Sequence, residues 1–198
     1  MTLRRLRLHL QAGASIPNDV NWRIEEGYLR LSSWSDRGEP FTLGLWGPGA
    51  MVIPSLLALS LLQLLALSTA RVEESEPFGS EREAFLIDHA LQTATLLRLS
   101  RSRPAELRLF RLLLWIGECF GRVSRRGVSM SMEDMNLTHR CLAEISRLTR
   151  VTVTKAMSHF RQSGYLIQEG CDELLLREGL TQLQRGDETL PLRSQGAG

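Results

Sequence analysis

At 198 residues the chain has room for one large or two small domains, and its hydrophobic content of 43% is ordinary for a globular protein. Its three cysteines, Cys119, Cys141 and Cys171, are widely spaced without a CxxC pair, which excludes a disulfide framework, a zinc site and an amino-terminal iron–sulfur cluster. The net charge of +2 hides an asymmetry: residues 98–161 carry 13 Lys/Arg against 5 Asp/Glu, the remainder 11 against 17, so one half presents the electrostatic footprint expected for a polyanion.

The opening MTLRRLRLHLQAGAS is basic but lacks the apolar core of a signal peptide. From about Asn21 to Glu76 the pattern is β-rich. Trp22-Arg23-Ile24 and Tyr28-Leu29-Arg30-Leu31 alternate around Glu26-Gly27 and predict a hairpin. Asp36-Arg37-Gly38-Glu39 predicts a second turn, and residues 41–46 a further strand that Gly47-Pro48-Gly49 breaks. Residues 50–70, AMVIPSLLALSLLQLLALSTA, are uncharged and long enough to span a bilayer. Pro54, Gln63 and several serines argue instead for a buried helix plus strand. A membrane-tethered protein is the alternative, which cell fractionation decides.

Ser80 with Glu83 three residues on reads as a capping box opening a helix that runs to about Arg101. Within it Ala84, Ile87, Leu91, Ala94 and Leu97 or Arg98 recur at a spacing of three and four. Such a seam suits packing on its own domain or a parallel two-stranded coil with a partner. His89 reads as a surface or interface residue rather than a ligand. Pro104 restarts the chain, and residues 105–120 predict an apolar helix with Leu107, Phe110, Leu114 and Gly117 on one face, closed by Gly121. Arg122, Arg125 and Arg126 then fall in a Ser/Gly-containing loop that either lies against phosphates or is plain surface.

Residues 137–167, LTHRCLAEISRLTRVTVTKAMSHFRQSGYLI, read as two short helices around a tight connection. Thr138 is the first N-cap, although Cys141 stands where a full capping box wants Glu or Gln. Thr149 caps the second helix, whose stripe of Val153, Ala156, Met157 and Phe160 predicts the buried face. Arg150, Val151, Thr154, Lys155 and Ser158 fall opposite. A core stripe backed by a small, cationic, hydroxyl-rich face is what a helix needs to enter a major groove. Residues 165–168 and 173–176 flank Gly170-Cys171-Asp172 as a hairpin, hence a wing. The tail from Arg185 on is polar and predicted to fray.

At these residues the sequence resembles the winged helix-turn-helix of the Crp/Fnr superfamily of bacterial transcription regulators. The run TRVTVTKAMSHFRQSGYL is most like the branch containing the cyanobacterial global nitrogen regulator. The likeness covers residues 137–167 without gaps and extends more loosely from about Asn21 to Gly179. One departure is Arg147, where the family usually has Gly, so a left-handed turn there costs more. WRIEEGYLRL…GEPFTLGLWGPGAMVIPSLL likewise resembles the jelly roll of a cyclic-nucleotide-binding domain, with GPGAMVIPSLL in place of the effector-holding cassette. The resemblance implies an α+β chain in three parts. These are a shortened, degenerate jelly-roll sensor domain at 1–79, a dimerisation helix at 80–103 and a winged helix-turn-helix DNA-binding domain at 104–198. With only about eighty residues before the helix, some strands of the usual roll are expected to be missing.

The family cassette supplies a carboxylate for ribose and an Arg for phosphate, and in the nitrogen branch basic residues for 2-oxoglutarate. Between Gly49 and Ala70 this chain has no charged residue at all. A dianion buried there unpaired would cost several kcal/mol or more. The expectation is therefore no binding of cyclic AMP and none of 2-oxoglutarate; an apolar ligand, or none, fits better. Arg71, the nearest cation, belongs to the strand that follows.

No catalytic set is present: no Walker loop, HExxH, GxSxG or paired His/Cys spacing, and neither cofactor nor metal is called for. Arg150 is placed to read guanine bidentately, as the matching Arg does in the family. Val151 can meet a thymine methyl, and Thr154 and Lys155 complete the base-reading set. Thr138, His139, Arg140, Thr149, Thr152 and Ser158 are expected on the phosphates. For the two histidines on these elements, His139 and His159, plain exposure is an equal alternative. Ala84, Ile87, Leu91, Ala94 and Leu97 are the expected dimer contacts. The partners are double-stranded DNA and a second copy of the chain, with RNA polymerase allowed by the resemblance and no membrane, in the cytoplasm. A metabolite-sensing or protein-partner module of weak DNA affinity is the rival reading.

Overall fold

The computed structural model describes residues 5–36, 38–57 and 61–188. In β3 (Trp22–Glu26) the alternation predicted from sequence turns Trp22 and Ile24 inward, at 0% and 1% exposure, while Arg23 and Glu25 face partly outward. β4 (Leu29–Trp34) does not alternate in burial, because both its faces are covered: Leu29 and Leu31 enter the roll, and Arg30 and Ser32 are buried on the other side.

Eight strands make two four-stranded antiparallel sheets. One runs β1 (Arg7–Leu10), β8 (Ala70–Glu74), β3, β6 (Met51–Val52); the other runs β2 (Ser15–Ile16), β7 (Gln63–Ala66), β4, β5 (Pro40–Trp46). This is the strand order of a complete jelly roll, so the expectation of missing strands is corrected. The brevity lies in the strands, two of which have only two residues, and not in their number. β1 lies outside the β-rich stretch expected from sequence, although Leu6-Arg7-Leu8-His9-Leu10 alternates strictly. Among the described residues of 50–70, the strand of the expected helix plus strand is present as β7, while the helix is a 3-10 turn at Pro54–Leu56. Among the described residues no helix is long and apolar enough to cross a membrane.

The turn at Asp36–Glu39 joins β4 to β5 as expected, with Trp34 opposite Pro40. The predicted hairpin at Glu26-Gly27 is overturned: β3 pairs with β8 and β6, whereas β4 pairs with β5 and β7 in the other sheet. The chain crosses between sheets at Gly27, whose φ is +78°. A Cβ there would stand 2.2 Å from the Thr69 carbonyl oxygen. The β7–β8 corner crosses beside it, tied by the Leu67 N–H to the Tyr28 carbonyl (2.7 Å) and the Tyr28 N–H to Ser68 Oγ (3.1 Å). Glycine marked the bend correctly, and a neighbouring corner far away in sequence decided which strands pair.

α1 (Gly79–Ser100) is capped at Phe78, two residues before the predicted cap Ser80. The Glu81 carboxylate, not Glu83, accepts from the Phe78 N–H (2.9 Å), because Arg23 of β3 also holds Glu81. That backbone bond first, and Arg23 next, lowers the Glu81 pKa. α1 covers the edge strand β5: Gln92 Oε1 accepts from the Leu45 N–H (2.7 Å) and Thr93 donates to the Leu43 carbonyl (3.0 Å). α2 (Ala105–Phe120) matches the predicted span, with Leu107, Phe110, Leu114 and Gly117 buried. α3 (His139–Ser146) and α4 (Arg150–Gln162) follow as predicted. They stand beside a four-stranded sheet ordered β11 (Leu166–Glu169), β12 (Asp172–Leu176), β10 (Gly127–Met130), β9 (Arg122–Val123). The expected loop at Arg122 is thus the edge strand of the wing sheet. α5 (Arg177–Glu188) has no counterpart among the expected elements; its Leu180 and Leu183, three apart, pack onto the same core. It includes Arg185, where fraying was expected, and residues 189–198 lie outside the described residues.

Candidate nucleic-acid interface

Two threonine caps fix the reading helix. Thr138 Oγ1 accepts from the Cys141 N–H (3.2 Å) at the start of α3, and Thr149 Oγ1 from the Thr152 N–H (3.1 Å) at the start of α4. Between them Arg147 adopts φ 56°, ψ 42°, the left-handed turn anticipated from the family position, despite carrying a side chain. That conformation costs an L-residue about 1–2 kcal/mol. The Leu148 N–H closes the turn on the Ala143 carbonyl (3.0 Å). Val153, Ala156, Met157 and Phe160 are all buried, with Phe160 edge-on to Phe110 at 5.1 Å.

The opposite face of α4 is free to solvent: Arg150, Val151, Thr154, Lys155 and Ser158 are exposed together. Val151 is 63% exposed, a large apolar side chain turned to solvent. Thr154 is less available than its neighbours. Its hydroxyl donates to the Arg150 carbonyl (2.9 Å) and stands 3.0 Å from His139 Nδ1, so that nitrogen supplies the hydrogen of the second bond. His139 therefore bridges α3 to α4. Arg140 is exposed and reaches Glu144, one turn on (3.3 Å). Thr149 and Thr152 share a hydroxyl bond of 2.8 Å, and Ser158 accepts from Gln162 (3.4 Å). His159 turns from this face toward α2, with Nδ1 3.1 Å from the Glu106 carboxylate. In the wing Arg122 is held by Asp172, Arg126 by Glu169 at 3.6 Å, and Arg161 of α4 by Glu173 at 2.7 Å.

α1 is apolar on two opposite sides. Phe85 buries in the core of the roll, and Leu96 and Leu99 in the cluster shared with α2, α3 and α4. Ala84, Ile87, Leu91, Ala94 and Leu97 are all exposed, Leu91 to 64%. The roll interior is filled by Trp22, Ile24, Leu29, Leu31 and Leu64, each at most 1% exposed. Arg71 meets Glu25 (2.6 Å) and Glu26 (2.7 Å) on the sheet exterior and does not enter the cassette. Burial raises the Cys141 thiol pKa to about 11, so it stays protonated at neutral pH.

What sequence reasoning missed is the hold of the roll on the reading motif. Arg30 of β4, 7% exposed, reaches Glu144 of α3 at 2.9 Å, and Arg147 reaches Glu39 at 3.4 Å. Asn136 donates to the Leu67 carbonyl at 2.9 Å. Only an arginine in the middle of an apolar strand pattern could have signalled the first of these.

Comparison with known proteins agrees with this architecture. The model of the Crp-like helix-turn-helix domain matches residues 107–183. The Regulatory protein CysR of Synechococcus elongatus is 36% identical over 160 residues, covering 80% of this chain and 78% of that protein. Among solved structures, a CRP/FNR-family transcriptional regulator from Thermus thermophilus superposes with a TM-score of 0.64 at 22% identity, covering 91% of this chain and 98% of that one. FixK2 from Bradyrhizobium japonicum gives 0.70 at 16% identity, covering 92% and 97%. With the caps, the turn, the wing and the roll all in place, this chain belongs to the Crp/Fnr family of transcription regulators and carries its helix-turn-helix DNA-binding domain.

Proposed function

We propose that the chain is a sequence-specific regulator that binds an imperfect DNA palindrome as a homodimer and does so without cyclic AMP. The observation that carries this is the exposed face of α4, where Arg150, Val151 and Lys155 stand clear of the protein behind a fully buried core stripe. Arg150 and Lys155 address base edges and Val151 a thymine methyl, with Thr154 in a lesser part because its hydrogen is already used. Thr138, Arg140, Thr149, Thr152 and Ser158 serve the phosphates, and His139 does so only with both ring nitrogens protonated, because its Nδ1 hydrogen is already given to Thr154. The roll (1–79), the long helix (80–103) and the helix-turn-helix part (104–198) divide the work into sensing, pairing and reading. The outward stripe of α1 supports the pairing, and two copies would present α4 to half-sites about one helical turn apart.

Independence from cyclic AMP is supported by a cassette without charge and a roll interior filled by tryptophan and branched side chains. Electrophoretic shifts on palindromic DNA test both parts. Arg150→Ala should weaken binding to the preferred site by about 1–3 kcal/mol and relax preference at one base pair, and added cyclic AMP should change nothing. Uniform loss on every sequence would sink the base-reading role, and a cyclic-AMP-dependent shift would sink the independence.

A further inference from the structure

Between the second half of α1, α2 and α5 lies a groove with a volume of about 600 Å³, within the size range of small-molecule sites. Its floor is apolar, formed by Leu99, Leu114 and the half-buried ring of Trp115. Three arginines line it, and two of them, Arg98 and Arg111, have no acid partner among the described residues. Arg111 is half-buried and donates from Nη1 to Ser102 Oγ (3.1 Å), while the exposed Arg98 guanidinium makes no hydrogen bond there. The neighbouring Arg177 differs, being already paired with Glu118 at 3.1 Å. Ser102 is 9% exposed, and its hydroxyl, accepting from Arg111, keeps its own hydrogen to donate. A partly desolvated guanidinium without counter-charge is unfavourable, and its planar fork fits an oxyanion through two hydrogen bonds.

We infer that this groove binds a small molecule carrying a phosphate or carboxylate on a flat apolar body. Arg98, Arg111 and the Ser102 hydroxyl take the oxyanion, and Trp115 with the leucines takes the body. The site uses neither the charge-free cassette of the roll nor the reading face of α4; Arg98 borders the outward stripe of α1, but anion binding is read independently of the DNA reading proposed above.

Isothermal titration of the full chain with phenyl phosphate and with benzoate, at fixed ionic strength and with phenol as the neutral control, tests it. At least one anion should bind saturably, one per chain, and phenol should not; which anion binds tells phosphate from carboxylate. Arg98→Gln and Arg111→Gln should each lower affinity at least about tenfold, the loss of one charge-assisted hydrogen bond. Arg140→Gln and Arg150→Ala, on the DNA-facing helices, should bind as the unaltered chain does, which separates this inference from the reading of DNA. Should Arg111→Gln fail to fold, Arg98→Gln still decides, because the Arg98 guanidinium has no partner to lose among the described residues. Binding of neither anion, or affinity unchanged by the groove substitutions, overturns the inference.

Discussion

Arg30 shows how one side chain ties a sensor-like roll to a DNA-reading motif. Its guanidinium is nearly out of solvent, bonded to Ser32 Oγ (3.0 Å) and to Glu144 (2.9 Å), while Glu144 is about a third exposed and also held by Arg140. Removing either partner should therefore not be equivalent. Glu144→Gln leaves a buried cation without its carboxylate and should cost about 3 kcal/mol, the lower end for breaking a buried pair because water reaches this one. Arg30→Met leaves the carboxylate to water and Arg140 and should cost about 1 kcal/mol. Urea unfolding of the two variants measures the order, and a larger loss in Arg30→Met would refute the assignment.

His89 makes a second case at this scale. It lies between Trp46 (6.1 Å between centroids) and Phe85 (6.0 Å), and its Nδ1 is buried with no hydrogen-bond partner among the described residues. Burial lowers its pKa, with Asp88 opposing. The unfolded ring takes up a proton near its ordinary value of about 6.5 and the folded ring only at lower pH, so between the two the unfolded chain holds more protons. This contribution to stability is complete above about pH 6.5 and declines as pH falls below it. Melting curves from about pH 7.5 down to about 5 should show a shallower decline in His89→Phe than in the unaltered chain; parallel curves would exclude the effect.

Among the elements, α1 departs most from an ordinary amphipathic helix. A helix with one apolar face is satisfied by its own domain; this one docks Phe85, Leu96 and Leu99 inward and still shows Ile87, Leu91 and Leu97 to water, at 55%, 64% and 56% exposure. The alternation of three and four residues between Ala84, Ile87, Leu91 and Ala94 is the spacing that suits the seam of the two-stranded coil proposed above. Leu91→Glu should leave the circular dichroism spectrum unchanged, because that side chain is largely outside its own chain's packing. Sedimentation should then show monomers, with affinity for a palindrome falling by an order of magnitude or more as the second half-site is lost. A dimer that persists in this variant would place pairing elsewhere. α5 and the edge strand β9 teach the opposite lesson: both are short, and their apolar residues acquire meaning only beside α2 and β10.

For the whole molecule, core residues of the roll such as Leu45 and Leu67 belong to one apolar cluster with α2, α3 and α4, so the reading motif is built onto the roll rather than hung from it. Sequence by itself determined what is local and periodic: the span of α2, the buried stripe of α4, the threonine caps, the wing hairpin and the outward face around Arg150. It also showed the cassette without charge. Each of these depends on residues within a turn or two of one another, where propensity and spacing decide. Only the tertiary structure decided that Gly27 is a corner and not a hairpin, that Glu81 caps α1, that all eight strands of the roll exist, and that Arg30 grips Glu144. Those outcomes join residues dozens of positions apart, and which distant group fills a hydrogen bond or neutralises a charge is set by packing, which a local pattern does not encode.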